Sequence, residues 1–271
     1  MAFQALTIAG SDSGGGAGIQ ADLKTFSALG VYGASVITAV TAQNTRAVIA
    51  VRMIDPAMIR AQMDAVFDDL EIKAIKVGML GGPDAIAAVA RGLAPCAMPV
   101  VLDPVMVAKS GDALLPVDAV DALRAQMLPL AYILTPNIPE AARLLGGSEA
   151  ADEEQMLAQG QALLALGPRA VLMKGGHASG PTCTDLLITK DDVIRLSALR
   201  HVTRNTHGTG CTLSAAIAAG LARKMSLADA VKMAHAYLQE AIASADLLRV
   251  GDGHGPVHHF HAVWPRESGA R

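Results

Sequence analysis

The chain has 271 residues, 52% of them hydrophobic and only 3% aromatic, so aliphatic side chains must fill a large core. Its formal charge of −3 gives no basis for binding nucleic acid or an anionic membrane surface. The three cysteines, Cys96, Cys183 and Cys211, lack C-x-x-C spacing, which argues against a disulfide framework or a thiolate metal site.

Short apolar segments alternate with helical patterns along the chain. Most of these segments are continuously apolar, as in strands that helices cover on both faces. Helix boundaries are indicated by Asp55 before a proline, by Ser226 with Asp229, and by Gly146 as a C-terminal stop. The candidate strands are residues 5–9, 34–38, 74–77, 100–102, 132–134 and 170–173.

The repeated strand–helix order predicts one α/β domain over residues 1–271, with three α/β/α layers and a central, mostly parallel sheet. Residues 184–188 and 193–197 predict a small hairpin at the edge of that sheet. Ligands of such folds bind at the carboxyl ends of the strands. The N-terminus has no basic signal-peptide region, and no run of about 20 apolar residues predicts a membrane span, so we expect a cytoplasmic protein.

A glycine-rich segment, GSDSGGGAG at residues 10–18, follows the first predicted strand. It matches neither the dinucleotide-binding fingerprint nor a P-loop. Its glycines allow the backbone to approach a ligand and point N–H groups at it. A flexible turn between strand and helix is the alternative interpretation.

A second glycine motif, NTHGTGC at residues 205–211, precedes a small, apolar helix. Backbone N–H groups at that helix start converge on one point, and the helix dipole adds positive potential for a transferring phosphoryl group. We expect the pKa of the Cys211 thiol to be lowered there, so that its thiolate can act as a general base. A buried structural cysteine is the alternative.

Ionisable residues follow three further strands. Glu140 is predicted in the first turn of a helix, where a carboxylate can hold Mg²⁺ or simply cap the helix. Asp103 and Lys174 each end an apolar strand, and a lysine suits a terminal phosphate. Surface placement without a role is the alternative for both.

A histidine-rich segment near the C-terminus, residues 253–261, lacks the cysteine or carboxylate partners of a zinc site. We therefore expect His258 and His261 to be exposed histidines of a tail rather than metal ligands.

Together with TAQNT at residues 41–45, VGML at 77–80, DPVMVAKSGD at 103–112 and KGGH at 174–177, these motifs resemble one family. The resemblance is to the bacterial hydroxymethylpyrimidine/phosphomethylpyrimidine kinases of the ribokinase-like superfamily, and it runs from Ala5 to about Phe260. It implies two MgATP-dependent steps at one site in thiamine biosynthesis. The first phosphorylates 4-amino-5-hydroxymethyl-2-methylpyrimidine, and the second converts the monophosphate to the diphosphate. It also implies a ribokinase-like fold and a homodimer.

The resemblance further implies roles for individual residues. Cys211 occupies the place of a catalytic aspartate in sugar kinases, and Gln43 reads the pyrimidine. A carboxamide offers a donor beside an acceptor, which matches a ring nitrogen beside an exocyclic amine. The implied roles are: Gly208, Thr209 and Gly210 in the anion hole; Lys174 on the transferring phosphate; Asn137 and Thr209 on the nucleotide; Glu140 and Asp103 on Mg²⁺; and Asp22, Gly10, Met79 and Val105 beside Gln43 at the substrate.

Three other functions compete with this interpretation. A pyridoxine/pyridoxal kinase shares the fold and a hydroxymethyl acceptor, but residues 108–112 lack the added lid cysteine of some such enzymes. A sugar kinase is disfavoured because Cys211 replaces the aspartate. A non-catalytic ligand-binding protein is disfavoured because Lys174, Glu140 and Cys211 occur together.

Overall fold

The computed structural model describes residues 2–106, 116–176 and 180–264. Within them a nine-stranded sheet has the order β3-β2-β1-β4-β5-β6-β7-β8-β9. The strands are β1 Gln4–Asp12, β2 Tyr32–Gln43, β3 Val48–Met53, β4 Ala74–Val77, β5 Val100–Leu102, β6 Ile133–Leu134, β7 Ala170–Met173, β8 Thr182–Thr189 and β9 Val193–Leu199. The α-helices are α1 Gly18–Ala28, α2 Pro56–Asp69, α3 Pro83–Leu93, α4 Val117–Gln126, α5 Ile138–Leu145, α6 Glu153–Leu164, α7 Thr209–Ala222 and α8 Leu227–Ala243.

The centre of the sheet is parallel, from β2 through β1, β4, β5 and β6 to β7. Both edges are antiparallel: β8 and β9 form the predicted hairpin beside β7, and β3 pairs with the end of β2. The mostly parallel sheet and the β8–β9 hairpin are therefore confirmed. The sequence interpretation did not include β3, and it made β2 too short.

Helices cover both faces of the sheet, because successive strand side chains point to opposite sides. Ile75 and Val77 pack with residues of α2 to α6, whereas Ala74 packs with α1, α7 and α8. Each central strand therefore contributes to two apolar layers, which confirms the three-layer prediction. Among the described helices, none combines the length and apolar character needed to cross a membrane.

The predicted helix boundaries are confirmed. The Asp55 carboxylate accepts the N–H of Ala57 at the start of α2, and the Ser226 hydroxyl accepts the N–H of Asp229 at the start of α8. Gly146 ends α5 in the left-handed region with φ of 67°. Such a conformation costs glycine little.

Candidate active site

A cavity of about 500 Å³ lies at the carboxyl ends of the parallel strands. Every residue that the sequence interpretation assigned to a site lines it, with the exception of Asp22. These lining residues are Gly10, Gln43, Met79, Asp103, Val105, Asn137, Glu140, Lys174, Gly208, Thr209, Gly210 and Cys211. The glycine loop, the strand ends and the start of α7 thus meet around one space, as the strand–helix alternation predicted.

The start of α7 forms one wall of this cavity. Gly208 has φ of 80°, and a Cβ atom there would lie 1.9 Å from the carbonyl oxygen of Gly16, so only glycine fits. No side chain caps the helix, whose first N–H groups lack intrahelical partners. The remainder of α7, from Thr212 onward, is buried. The Thr209 N–H donates to the Thr206 carbonyl at 3.4 Å, and the positive end of the helix dipole makes this wall a candidate anion site.

Cys211 lies on the first turn of α7 beside this anion site. Contrary to the expectation of a lowered value, burial raises the pKa of the Cys211 thiol to about 11, although Lys76 acts in the opposite direction. The amide of Gly18 also acts to lower this pKa, but it does not compensate for the loss of solvation. The thiol form therefore predominates at neutral pH.

Lys174 and two carboxylates lie beside the start of α7, where a Cβ atom at Gly210 would be 3.4 Å from the Lys174 nitrogen. The Lys174 ammonium donates to Asp103 Oδ1 at 3.0 Å and lies 3.8 Å from Glu140 Oε2. Burial acts to raise the pKa of Asp103, but the positive charges of Lys174 and Lys76 hold it below its usual value. The Asp103 carboxylate also accepts hydrogen bonds from Thr135 and Ser214. Lys174 is thus held in place, with its charge directed at the cavity.

Glu140 caps its helix, which is one of the two roles that the sequence left open. Its Oε2 accepts the N–H of Asn137 at 2.8 Å, and the Asn137 side chain accepts the N–H of Glu140, which forms a capping box at α5. Burial raises the pKa of Glu140 to about 7, partly offset by Lys174. A buried carboxylate pair at a cavity wall, Glu140 with Asp103, has the hard oxygen donors that Mg²⁺ prefers, so these residues fit that ion.

Another part of the cavity lining is suited to a flat ring. Gly10 leaves room beside Met79, because a Cβ atom at position 10 would lie 3.3 Å from the Met79 sulfur. Val105 and Gln43 also line the cavity. One polar group among apolar surfaces is what orients a small heterocycle in a pocket.

Asp22 is absent from the cavity lining, so its assignment to the substrate site stays a prediction. Its side chain is fully buried, and Oδ2 accepts hydrogen bonds from the Thr7 hydroxyl at 2.6 Å and from the Lys76 ammonium at 2.8 Å. Lys76 is itself fully buried and separates Asp22 from the cavity, which Lys76 lines. Sequence reasoning missed Lys76, although a lysine within the apolar strand 74–77 was a usable signal.

Asp12 and His207 are further residues that the sequence interpretation left without a role. The Asp12 carboxylate accepts N–H groups from Gly14, Gly16 and Ala17 at 2.8 to 3.0 Å, and it contacts His207 Nε2 at 2.9 Å. Burial acts to raise the pKa of Asp12, but these hydrogen bonds hold it below its usual value. The glycine loop is therefore organised around a carboxylate. The sequence offered a usable signal for both residues, because Asp12 is the charged residue of the first glycine motif and His207 is the aromatic residue of the second.

The C-terminal histidines do not form an exposed tail as expected. His258 is 8% exposed and His259 is 4% exposed. The segment packs on α7 and α8, where His259 Nε2 lies 3.1 Å from the Thr212 hydroxyl and the His258 N–H donates to the Ala241 carbonyl. Burial lowers the pKa of His259 to about 3. Two further sequence features lie outside the described residues. They are residues 108–112, which contain no lid cysteine, and His177 of the KGGH motif.

Comparisons with known proteins agree with this geometry. A family model described as phosphomethylpyrimidine kinase matches residues 12–258. The hydroxymethylpyrimidine/phosphomethylpyrimidine kinase of Rhizobium meliloti is 60% identical over 260 residues, which cover 96% of this chain and 98% of that protein. The thiamine biosynthesis bifunctional protein ThiED of Geobacter sulfurreducens is 48% identical over 95% of this chain and 52% of its own length.

A solved structure extends the likeness to the whole fold. An ADP complex of pyridoxal kinase from Bacillus subtilis superposes with a TM-score of 0.89 at 36% identity, covering 97% of this chain and 99% of that one. This likeness confirms the expected ribokinase-like fold, which the sequence resemblance had implied.

Proposed function

The chain belongs to the phosphomethylpyrimidine kinase family, and from this premise we propose how its residues carry out two phosphoryl transfers. It is a kinase of thiamine biosynthesis that takes ATP as phosphoryl donor. Its acceptors are the hydroxymethyl oxygen of 4-amino-5-hydroxymethyl-2-methylpyrimidine and then the phosphate of the resulting monophosphate.

In the first transfer, the acceptor oxygen attacks the γ-phosphorus of ATP. The bond from that phosphorus to the β–γ bridging oxygen breaks, and ADP leaves. The N–H groups at the start of α7, from Gly208 to Gly210, stabilise the charge on the equatorial phosphoryl oxygens. The Cys211 thiolate accepts the proton of the hydroxyl group. Because the thiol form predominates, only the thiolate fraction is active as a base.

Charged residues beside the start of α7 bind and orient the nucleotide. Lys174 contacts the phosphoryl group in transfer, and Asn137 and Thr209 contact the nucleotide. Glu140 and Asp103 hold Mg²⁺, which neutralises phosphate charge when bound. Gln43 reads the amine and ring nitrogen of the pyrimidine between Met79 and Val105.

The observation that carries this proposal is that two kinds of surface line one cavity. One is the start of α7, which has no side-chain cap and carries a cysteine, and the other is Gln43 with Met79 and Val105. Cys211 and the Gln43 amide line the same cavity, so a ring bound by the amide can place its hydroxymethyl group near the base. This arrangement supports phosphoryl transfer to that group.

A homodimer is also proposed, on the strength of β3. This edge strand is exposed on both faces, and Ile49, Val51 and Met53 are exposed apolar side chains on it. Monomeric proteins seldom present an apolar edge of this kind, because it invites pairing with another chain.

Phosphorus NMR of the purified protein with MgATP tests the function. We expect a monoester signal with the aminopyrimidine, and then a diphosphate when the monophosphate is supplied alone. Pyridoxal, offered at the same concentration, should react much more slowly. A faster reaction with pyridoxal would refute the proposed substrate, and no product with any acceptor would refute the assigned chemistry.

A further inference from the structure

The Gln43 carboxamide touches two polar neighbours. Its nitrogen lies 3.3 Å from His207 Nε2, and its oxygen lies 3.3 Å from the Thr41 hydroxyl. The backbone of Gln43 is fixed by reciprocal hydrogen bonds with the Ser13 hydroxyl at 2.8 Å. A half-turn of the side-chain amide would exchange the positions of its oxygen and nitrogen between His207 and Thr41.

Asp12 decides where the hydrogen on His207 lies. Both Asp12 oxygens already accept backbone N–H groups, Oδ1 from Gly14 and Oδ2 from Gly16 and Ala17, so this carboxylate acts as an acceptor only. The contact of 2.9 Å between Asp12 Oδ2 and His207 Nε2 therefore needs a hydrogen on Nε2. The imidazole tautomer with its hydrogen on Nε2 meets this need, whereas the tautomer with its hydrogen on Nδ1 does not.

The amide nitrogen of Gln43 then faces a second donor, which leaves the contact with His207 without an acceptor. The other contact has the same defect, because the Thr41 hydroxyl donates its hydrogen to the Ser11 carbonyl at 2.9 Å. A half-turn of the terminal amide removes the clash between two donors at His207 and gives Thr41 an accepting role. The Gln43 oxygen then shares the Nε2 hydrogen of His207 with Asp12 in a three-centre hydrogen bond, and the Gln43 nitrogen donates to the Thr41 oxygen.

We propose that Asp12 and His207 are positioning residues that fix the Gln43 carboxamide with its oxygen towards α7 and its nitrogen towards β2. The remaining lone pair and the remaining hydrogen of that amide face the cavity, which Gln43 lines. The site therefore selects a ring edge with a donor on the α7 side and an acceptor on the β2 side.

For the ring identity, this inference rests on the proposed function. In the aminopyrimidine, the exocyclic amine lies between the ring nitrogen and the hydroxymethyl carbon. With the amine on the oxygen of Gln43 and the ring nitrogen on its amide, the hydroxymethyl group is directed to the His207 side. His207 directly precedes Gly208, so the acceptor oxygen is placed towards the start of α7.

The 4-oxo analogue of the substrate, 5-hydroxymethyl-2-methylpyrimidin-4(3H)-one, tests the proposal because it presents the reversed order of donor and acceptor. We expect kcat/KM for the amino compound to exceed that for the oxo compound by at least about 100-fold in the unmodified protein. In His207→Phe, which keeps a ring over Gly16, the amide can turn, and the ratio should fall below about 10-fold.

His207→Gln is the matched variant, since its amide can donate to Asp12 at a similar reach. We expect it to restore most of the discrimination. Equal losses for both substrates in His207→Phe, with the ratio unchanged, would mean that His207 only supports the fold and would overturn the proposal.

A measurement without substrate separates this inference from the proposed function. Nitrogen-15 NMR of the unmodified protein should find hydrogen on His207 Nε2, and the Gln43 side-chain amide should show a proton–proton contact to Thr41. An Nε2 without hydrogen would overturn the inference, whatever the activity. Inactivity towards both pyrimidines with the expected NMR result would refute only the proposed substrate.

Discussion

At the scale of single residues, Cys211 combines a position suited to catalysis with a pKa that opposes it. Cys211→Ala should lower kcat by about 100-fold or more, because loss of a positioned base typically costs that much. The Kd for ATP, measured by titration calorimetry, should change little, because the N–H groups of α7 remain. Near-normal turnover in this variant would refute the base assignment.

The pH profile of the same pair of proteins gives a second prediction. Since the pKa of the Cys211 thiol is raised to about 11, the thiolate fraction grows as the pH rises from neutral. We expect kcat of the unmodified protein to increase by up to about tenfold per pH unit above neutral, until another step limits it. The residual rate of Cys211→Ala should lack this rise, and a parallel rise in both would contradict the account.

Gln43 carries a prediction about binding. Gln43→Leu removes both proposed hydrogen bonds to the ring and should weaken binding of the pyrimidine by about 1–3 kcal/mol, which is roughly 5- to 150-fold. Steady-state kinetics should show this loss in KM for the pyrimidine, with KM for ATP as the internal control. An unchanged KM for the pyrimidine would remove Gln43 from the site.

Residue roles could be predicted from sequence only where a motif is local. Gly208 to Cys211 and Asn137 to Glu140 are contiguous, so their helix-start geometry was readable. The pair of Asp12 and His207 is separated by 195 positions, and no local pattern indicates its contact. The pKa of Cys211 could not be predicted because it depends on burial by the whole fold.

At the scale of secondary-structure elements, the fully buried ion pair of Lys76 and Asp22 joins β4 to α1 below the cavity. Lys76→Met leaves a buried carboxylate without its partner and should lower the free energy of unfolding by about 3–5 kcal/mol. Urea denaturation measures this value. The double variant Lys76→Met/Asp22→Asn should lose less, because no uncompensated charge remains.

Lys73→Met is a matched control, since Lys73 pairs with Glu71 at the protein surface. It should change the free energy of unfolding by no more than about 0.5 kcal/mol. If Lys73→Met and Lys76→Met changed the free energy of unfolding by equally small amounts, the buried ion pair would not stabilise the fold in the proposed way.

The strands that could be predicted are the central ones, because burial on both faces demands a continuously apolar run. The strand β3 was missed because Val48–Met53 projects beyond the helical layers and is mostly exposed. Its apolar residues are not explained by the core of one chain. The proposed homodimer would cover them.

At the scale of the whole molecule, the proposed homodimer can be tested through β3. Ile49 on β3 is 71% exposed. The substitution Ile49→Asp should leave the fold of the monomer intact but destabilise the dimer, because it places a charge on the edge strand. Sedimentation analysis should find a shift towards monomer. Leu199→Asp at the opposite edge, where Leu199 is 74% exposed, should leave the dimer intact. A monomeric unmodified protein would contradict the proposal.

The overall architecture followed from the sequence because alternating strands and helices allow few arrangements. The parallel centre, the three layers and the hairpin β8–β9 were predicted. The second antiparallel edge was not, because the pairing of β2 with β3 depends on contacts outside the local pattern. A single domain over residues 1–271 stays a prediction.

A crystal structure with the aminopyrimidine and a non-hydrolysable MgATP analogue tests the central claim most directly. The account predicts the γ-phosphorus beside the N–H groups of Gly208 to Gly210. The acceptor oxygen should then lie between that phosphorus and the Cys211 sulfur. A terminal phosphate bound away from the start of α7 would contradict the proposed mechanism.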